Sequence, residues 1–117
     1  NQPDVSRKKV SKSEVIEIND YLIEELSLDD CFVCFHDDAD FCECRKPLPG
    51  MLFEASRKWN INLSSSYMVG DRWRDVNAGK KAQCETILID YNYKENIDIE
   101  PDYVIDEPFD ILNIICP

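Results

Sequence analysis

The sequence has no apolar run long enough to cross a bilayer. Its longest candidates, Ile87-Leu88-Ile89 and Ile111 to Cys116, fall far short of the roughly 20 residues that a spanning helix needs. No signal-peptide pattern opens the chain, and neither an internal repeat nor a low-complexity segment is visible. Basic charge is scarce: 13 Lys and Arg stand against 24 Asp and Glu, a net charge of -11. Such a surface repels phosphate backbones and anionic lipid, which argues against a nucleic-acid or membrane-surface partner. A small phosphorylated ligand is still allowed, because a bound divalent cation and a few placed basic groups reverse the field locally. Histidine occurs once, as His36, and the first residue is not Met, so Asn1 is expected to mark a truncation or processing boundary.

What is present describes a folded chain. At 117 residues and 44% hydrophobic content it is expected to form a single domain, residues 1–117, with a buried core. Six cysteines occur, and four of them cluster around the only histidine. With no targeting segment to support secretion, that clustering points to metal ligation in a reducing compartment rather than to disulfides, so cytoplasm is expected. Cys31, Cys84 and Cys116 sit in apolar contexts and read as small core residues. Trp59 reads as core, Trp73 as packing at a pocket rim, and Asp98 to Asp102 as solvated surface.

The pattern alternates between helix and strand. Ser11 and Glu14 form a capping box ahead of Val15, Ile18, Leu22 and Leu26 at helical spacing, which predicts a helix over 12–26. Cys31 to Phe35 is a short β-prone apolar run expected as a buried strand. After Pro47 to Gly50, the residues Leu52, Ala55 and Trp59 mark one face of a second helix. Tyr67 to Val69, Thr86 to Ile89 and Tyr103 to Ile105 read as strands, with helices over 72–83 and 109–115. The expected fold is therefore α/β, a parallel sheet covered on both faces, with its chemistry at the carboxyl ends of the strands.

Three constellations carry chemistry. In the first, Cys34-Phe35-His36 and Cys42-Glu43-Cys44 are two tight chelating pairs separated by a loop. Three thiolates and an imidazole suit a closed tetrahedral zinc site, structural rather than catalytic, over residues 34–44; the alternative is buried free cysteines and a surface histidine. Arg45-Lys46-Pro47 follows directly, two cations suited to gripping and neutralising a phosphoryl group, or else solvated charges. In Val69-Gly70-Asp71-Arg72-Trp73-Arg74-Asp75, an apolar strand delivers Asp71 at its end and Asp75 one helical turn later. Mg²⁺ takes one or two protein carboxylates of this kind and completes its octahedron with water and substrate oxygens; the alternative is a helix cap and a solvated carboxylate.

Together, Asn1-Gln2, the Cys-x-His and Cys-x-Cys loop, Cys44-Arg45-Lys46-Pro47, Pro49-Gly50-Met51 and Gly70-Asp71 resemble the haloacid dehalogenase superfamily. The branch they resemble most is that of D-glycero-D-manno-heptose 1,7-bisphosphate phosphatase, with histidinol-phosphate phosphatase as its near relative. The resemblance implies a Rossmann-like three-layer sandwich and a Mg²⁺-dependent phosphatase acting on a small sugar phosphate, and so a place in carbohydrate metabolism. It implies substrate contacts at Asn1, Gln2 and Arg45, and a phosphoryl-stabilising Lys46. It further implies Mg²⁺ on Asp71 with Asp75 in support, and zinc on Cys34, His36, Cys42 and Cys44. It also implies an upstream Asp-x-Asp nucleophile strand and a Thr or Ser just before Asn1, neither of which these residues contain; Asp38-Ala39-Asp40 lies inside the zinc loop and cannot substitute. The chain is thus expected to be the C-terminal part of the domain, with its N-terminal strands absent or supplied by a companion chain. A histidinol-phosphate or other phosphomonoester phosphatase stays open, as does an inactive zinc-stabilised remnant serving as a binding or assembly module.

Overall fold

The computed structural model describes all 117 residues, which divide into two compact units, Asn1–Arg45 and Lys46–Pro117. No helix is long and apolar enough to cross a membrane.

The first unit opens with a short helix, α1 (Pro3–Ser6), that the sequence pattern did not anticipate. Next comes α2 (Lys12–Leu26), starting where its capping box predicts. The Glu14 N–H donates to Ser11 Oγ at 3.2 Å, and Glu14 Oε2 accepts the Ser11 N–H at 2.9 Å. The helix stops where Ser27 turns left-handed, with φ 51°. Of its apolar stripe only Val15 is buried; Ile18 is 58% exposed.

Cys31 to Phe35 is not a strand. Residues 28–37 carry no regular secondary structure, although Cys34 itself is fully buried. A β-prone composition does not supply the neighbouring ladder that a strand needs. The segment instead receives a loop contact, the Gln2 N–H donating to the Cys34 carbonyl at 2.7 Å. Nor are Cys31 and Cys116 core residues, for both are exposed; Cys84 is buried as expected.

In the second unit, α3 (Gly50–Trp59) buries Met51 and leaves Trp59 49% exposed, so Trp59 is not core. A parallel sheet follows, of strands β1 (Tyr67–Gly70), β2 (Glu85–Ile89) and β3 (Tyr103–Ile105) in that order. Its register pairs Gly70 with Leu88 and Ile89 with Ile105. The helix α4 (Trp73–Lys81) crosses between β1 and β2 and packs on both. A Cβ at Gly79 would meet the Met68 Cβ and Thr86 Cγ2 at 2.7 Å, so the helix lies closer to the sheet than alanine permits. Thr86, Ile87 and Leu88 are buried in succession, as a strand covered on both faces requires. A 3₁₀ turn, Pro108–Ile111, and a final helix, α5 (Leu112–Ile115), close the chain.

Asp102 is not merely solvated surface. Its Oδ2 accepts from the Thr86 N–H (2.7 Å) and Oγ1 (2.9 Å), while Lys80 Nζ of α4 reaches Oδ1 at 2.5 Å. The carboxylate thus ties the entrance of β3 to β2 and α4. Lys80, then the Thr86 backbone and hydroxyl, lower its pKa from 3.8 to about 2. Because the folded value lies below the unfolded one, the stabilisation is present above about pH 4 and is lost as pH falls toward 2. The side chain is 36% exposed, so solvent screening holds the effect to no more than about 1 kcal/mol. The urea midpoint of Asp102→Asn should therefore lie below that of the parent at pH 6, the difference closing toward pH 2; a pH-independent difference would remove the charge from this account.

Candidate active site

The acidic loop is organised before any metal is considered. Asp37 accepts the Asp38 N–H at 2.8 Å, and Asp40 accepts the Asp37 N–H at 2.7 Å across a 3₁₀ turn, Asp38–Asp40. Arg7 grips Asp37 through Nε (2.5 Å) and Nη2 (2.8 Å), Ser6 Oγ donates to Asp40 (2.5 Å), and Arg45 Nε reaches Asp38 (2.7 Å). The carboxyls of Asp37 and Asp40 are accordingly held below the usual range, chiefly by Arg7 and by Ser6 respectively. These ties fold the loop back, so that the ligating atoms of Cys34, His36, Cys42 and Cys44 all lie within 4.8 Å of one another.

Within the quartet, Cys34 Sγ is 3.6 Å from both His36 Nδ1 and Cys42 Sγ, and Cys44 Sγ is 3.2 Å from Cys34 Sγ and 3.3 Å from His36 Nδ1. Zinc–sulfur bonds of about 2.3 Å at the tetrahedral angle would set sulfurs roughly 3.8 Å apart. The donor set and its spread therefore fit a tetrahedral ion, and these four residues could hold one. Burial pushes the Cys44 thiol up to about 12, with its hydrogen bonds to Cys34 and Cys42 adding to the shift. Burial also opposes ionisation of Cys42, but the Arg45 N–H together with the Cys44 and Cys34 thiols brings it down to about 7.

Arg45 closes the first unit. Its side chain is only 12% exposed, and its Nη1 is buried without a hydrogen-bond partner. Lys46 opens the second unit, and its Nζ donates to Asp75 Oδ1 while Arg74 Nη1 donates to the Lys46 carbonyl at 3.0 Å. Asp75 is 6% exposed and sits in the first turn of α4. Its second oxygen accepts the Arg72 N–H at 3.1 Å. One carboxylate thus connects the Lys46 amine to the backbone beside Asp71, at the carboxyl end of β1. Asp71 is partly exposed there, and burial followed by the Asp71 carboxylate raises the pKa of the Tyr93 phenol.

The chain is similar to known proteins. The model of the HAD-hydrolase-like family matches residues 43–108. The chain belongs to that family. Over 101 residues it is 33% identical to a D-glycero-beta-D-manno-heptose-1,7-bisphosphate 7-phosphatase of Yersinia pestis, covering 76% of this chain and 54% of the relative. A D-glycero-alpha-D-manno-heptose-1,7-bisphosphate 7-phosphatase of Campylobacter jejuni is 30% identical over 94 residues, with the same coverages of 76% and 54%. Among solved structures, the D,D-heptose 1,7-bisphosphate phosphatase of B. bronchiseptica, complexed with magnesium and phosphate, matches with a TM-score of 0.69. It is 33% identical, over 75% of this chain and 52% of that one. The chain spans about half the length of the curated relatives it matches.

In this HAD-family chain the cysteine–histidine quartet converges, and Lys46 reaches Asp75 at the exit of β1. Asp75 does not present a free carboxylate, because both of its oxygens are taken by protein donors. Gln2 contributes its backbone to the first unit, next to Cys34. Sequence reasoning missed Arg7 and Ser6 as ties of the acidic loop, and missed Tyr93 and Glu95 beside Asp71. Nothing local signals them: Glu95 bonds Arg72 from 23 positions away.

Gly70 is what lets Asp75 sit where it does. A Cβ there would fall 2.3 Å from the Asp75 Cβ and Cγ. Asp75 is held by Lys46 and Arg72 and cannot step aside cheaply. Gly70→Ala should cost about 1–3 kcal/mol of unfolding free energy, as overpacking does, measured by urea titration. A cost below about 0.5 kcal/mol would show that the Asp75 arrangement is not fixed.

Proposed function

We propose that this chain is the catalytic-site-bearing C-terminal part of a Mg²⁺-dependent HAD phosphatase that hydrolyses a small sugar phosphate, most similar in its choice to heptose-1,7-bisphosphate 7-phosphatases. The observation that carries the reading is the Asp75 carboxylate holding the Lys46 amine to the Asp71 end of β1. A cation and an outward carboxylate at one strand exit are what in-line phosphoryl transfer requires, since positioning and charge supply most of the catalysis. A lysine ammonium carries three donors, the kind of group that can serve a carboxylate and a phosphoryl oxygen together. Asp75 serves indirectly, by orienting Lys46 and the Arg72 N–H. Arg45, with a buried donor nitrogen lacking an acceptor, is suited to an anionic substrate group; contacts from Asn1 and Gln2 belong to the same proposal.

Asp71 is an oxygen donor of the hard kind that Mg²⁺ takes, and the bound ion would neutralise phosphate charge. The carboxylate that attacks phosphorus, forming an aspartyl-phosphate that water then hydrolyses, would come from protein outside residues 1–117. The only Asp-x-Asp among them, Asp38-Ala39-Asp40, is occupied by Arg45 and Ser6. The quartet would hold a structural zinc with no open position. A cytoplasmic setting and a place in carbohydrate metabolism complete the proposal, since unpaired thiols persist where glutathione keeps them reduced.

Metal analysis of protein prepared without chelator should find about one zinc per chain, and its removal should unfold the first unit, since such a site contributes on the order of 10 kcal/mol. Metal-replete protein without zinc would count against the assignment. In protein that carries the nucleophile, Asp71→Asn should lower phosphate release at least about a hundredfold, consistent with electrostatic stabilisation worth about 3 kcal/mol, while the zinc content stays the same. Unchanged turnover would remove Asp71 from the site.

A further inference from the structure

We propose that Glu95, with the ring of Tyr93, forms a clamp that holds the Arg72 guanidinium off the Asp71 carboxylate and so keeps that carboxylate available to a divalent cation. The proposal rests on the reading of Asp71 as the cation's carboxylate and goes further: it assigns a positioning role to the connection between β2 and β3.

Arg72 directly follows Asp71 at the strand exit. A free guanidinium beside a carboxylate pairs with it bidentately, and a carboxylate so paired is a poor ligand for a hard cation, which would have to displace a competing charge. The chain restrains Arg72 from two sides. Glu95 Oε1 accepts from Arg72 Nε at 2.7 Å and also from Nη2, while Oε2 accepts the N–H of Trp73, the first residue of α4, at 3.3 Å. The Glu95 side chain is 16% exposed, so this pair is screened less than an open surface pair. On the other side the guanidinium carbon lies 4.9 Å from the Tyr93 ring centroid, a cation–π distance. Tyr91 meets that ring edge-on, with centroids 6.1 Å apart. Burial, and then the neighbouring Asp71 carboxylate, raise the pKa of the Tyr93 phenol, so the loop that restrains Arg72 also runs beside Asp71. A loop needed only for folding would anchor to the helix end; this one also neutralises the one arginine adjacent in sequence to Asp71.

A double-mutant cycle read by Mn²⁺ binding tests this, with free Mn²⁺ followed by electron paramagnetic resonance and folding by circular dichroism. Glu95→Gln should weaken Mn²⁺ binding about threefold to fivefold, the range that one partly exposed charge pair supports. Arg72→Met should not weaken it, and in the Arg72→Met background Glu95→Gln should have no further effect. Tyr93→Leu opens the clamp independently and should show the same direction and the same dependence on Arg72. Unchanged affinity in folded Glu95→Gln or Tyr93→Leu, or a loss that persists without Arg72, would overturn the clamp. The Asp71→Asn protein separates the two readings: if it binds Mn²⁺ as well as the parent, the reading of Asp71 fails first and the clamp falls with it, whereas loss of binding there alongside an unaffected Glu95→Gln removes the clamp alone.

Discussion

The arrangement at the end of β1 depends on one buried carboxylate. Asp75 accepts from the Lys46 amine with one oxygen and from the Arg72 N–H with the other, and it does so at 6% exposure. A buried charge with a partner removed is costly, by about 3–5 kcal/mol in comparable pairs, so the pair is kept together rather than merely tolerated. Three sequence decisions meet there: glycine at position 70, which leaves room for the side chain; aspartate in the first turn of α4, where the helix dipole favours negative charge; and a lysine at position 46. The same carboxylate starts the helix and holds the Lys46 amine, so one residue serves both the fold of the second unit and the proposed site.

A net charge of -11 sets the problem that the rest of the molecule solves locally. Basic groups are few, and those near the sites are committed. Arg7 and Arg45 hold the acidic loop, Arg72 is held by Glu95, and Lys80 is held by Asp102. Lys46 is held by Asp75. The acidic residues, by contrast, divide. Asp37, Asp40 and Asp102 are pulled below their usual pKa range by named donors, which makes them structural acceptors. Asp71 is set apart by position: it follows the last residue of β1, partly exposed, next to an Arg72 whose guanidinium is bonded to Glu95.

What the sequence disclosed was local. The Ser11–Glu14 box placed the start of α2 correctly because both bonds close within three residues. The Cys-x-His and Cys-x-Cys pairs were legible because chelation imposes short spacing, and the structure brings all four side chains together. β3 was read with its observed limits from three β-prone residues, Tyr103–Ile105. The failures are all of partnership. Cys31 to Phe35 has the composition of a strand but no ladder, and a ladder is a property of two segments. Trp59 has the side chain of a core residue at the end of a helix that does not bury it. Asp102 looked solvated because the threonine it bonds is 16 positions earlier. Glu95 and Tyr93 were invisible for the same reason.

The first unit shows what a metal in the Cys34–Cys44 loop would supply. Forty-five residues, Asn1–Arg45, supply little core: in this unit only Val15 and Cys34 are buried hydrophobic residues. Chains of this size seldom stand on apolar burial and draw instead on metals or cross-links. Here the loop is first drawn together by Arg7, Ser6 and Arg45, whose pairs are exposed and individually weak. Burial of the gathered thiols has a cost of its own, and drives the Cys44 thiol up to about 12. A soft divalent ion reverses that cost, because it takes the thiolates as ligands instead of leaving them as buried acids. The weak salt bridges therefore set the shape and the proposed zinc sets the stability.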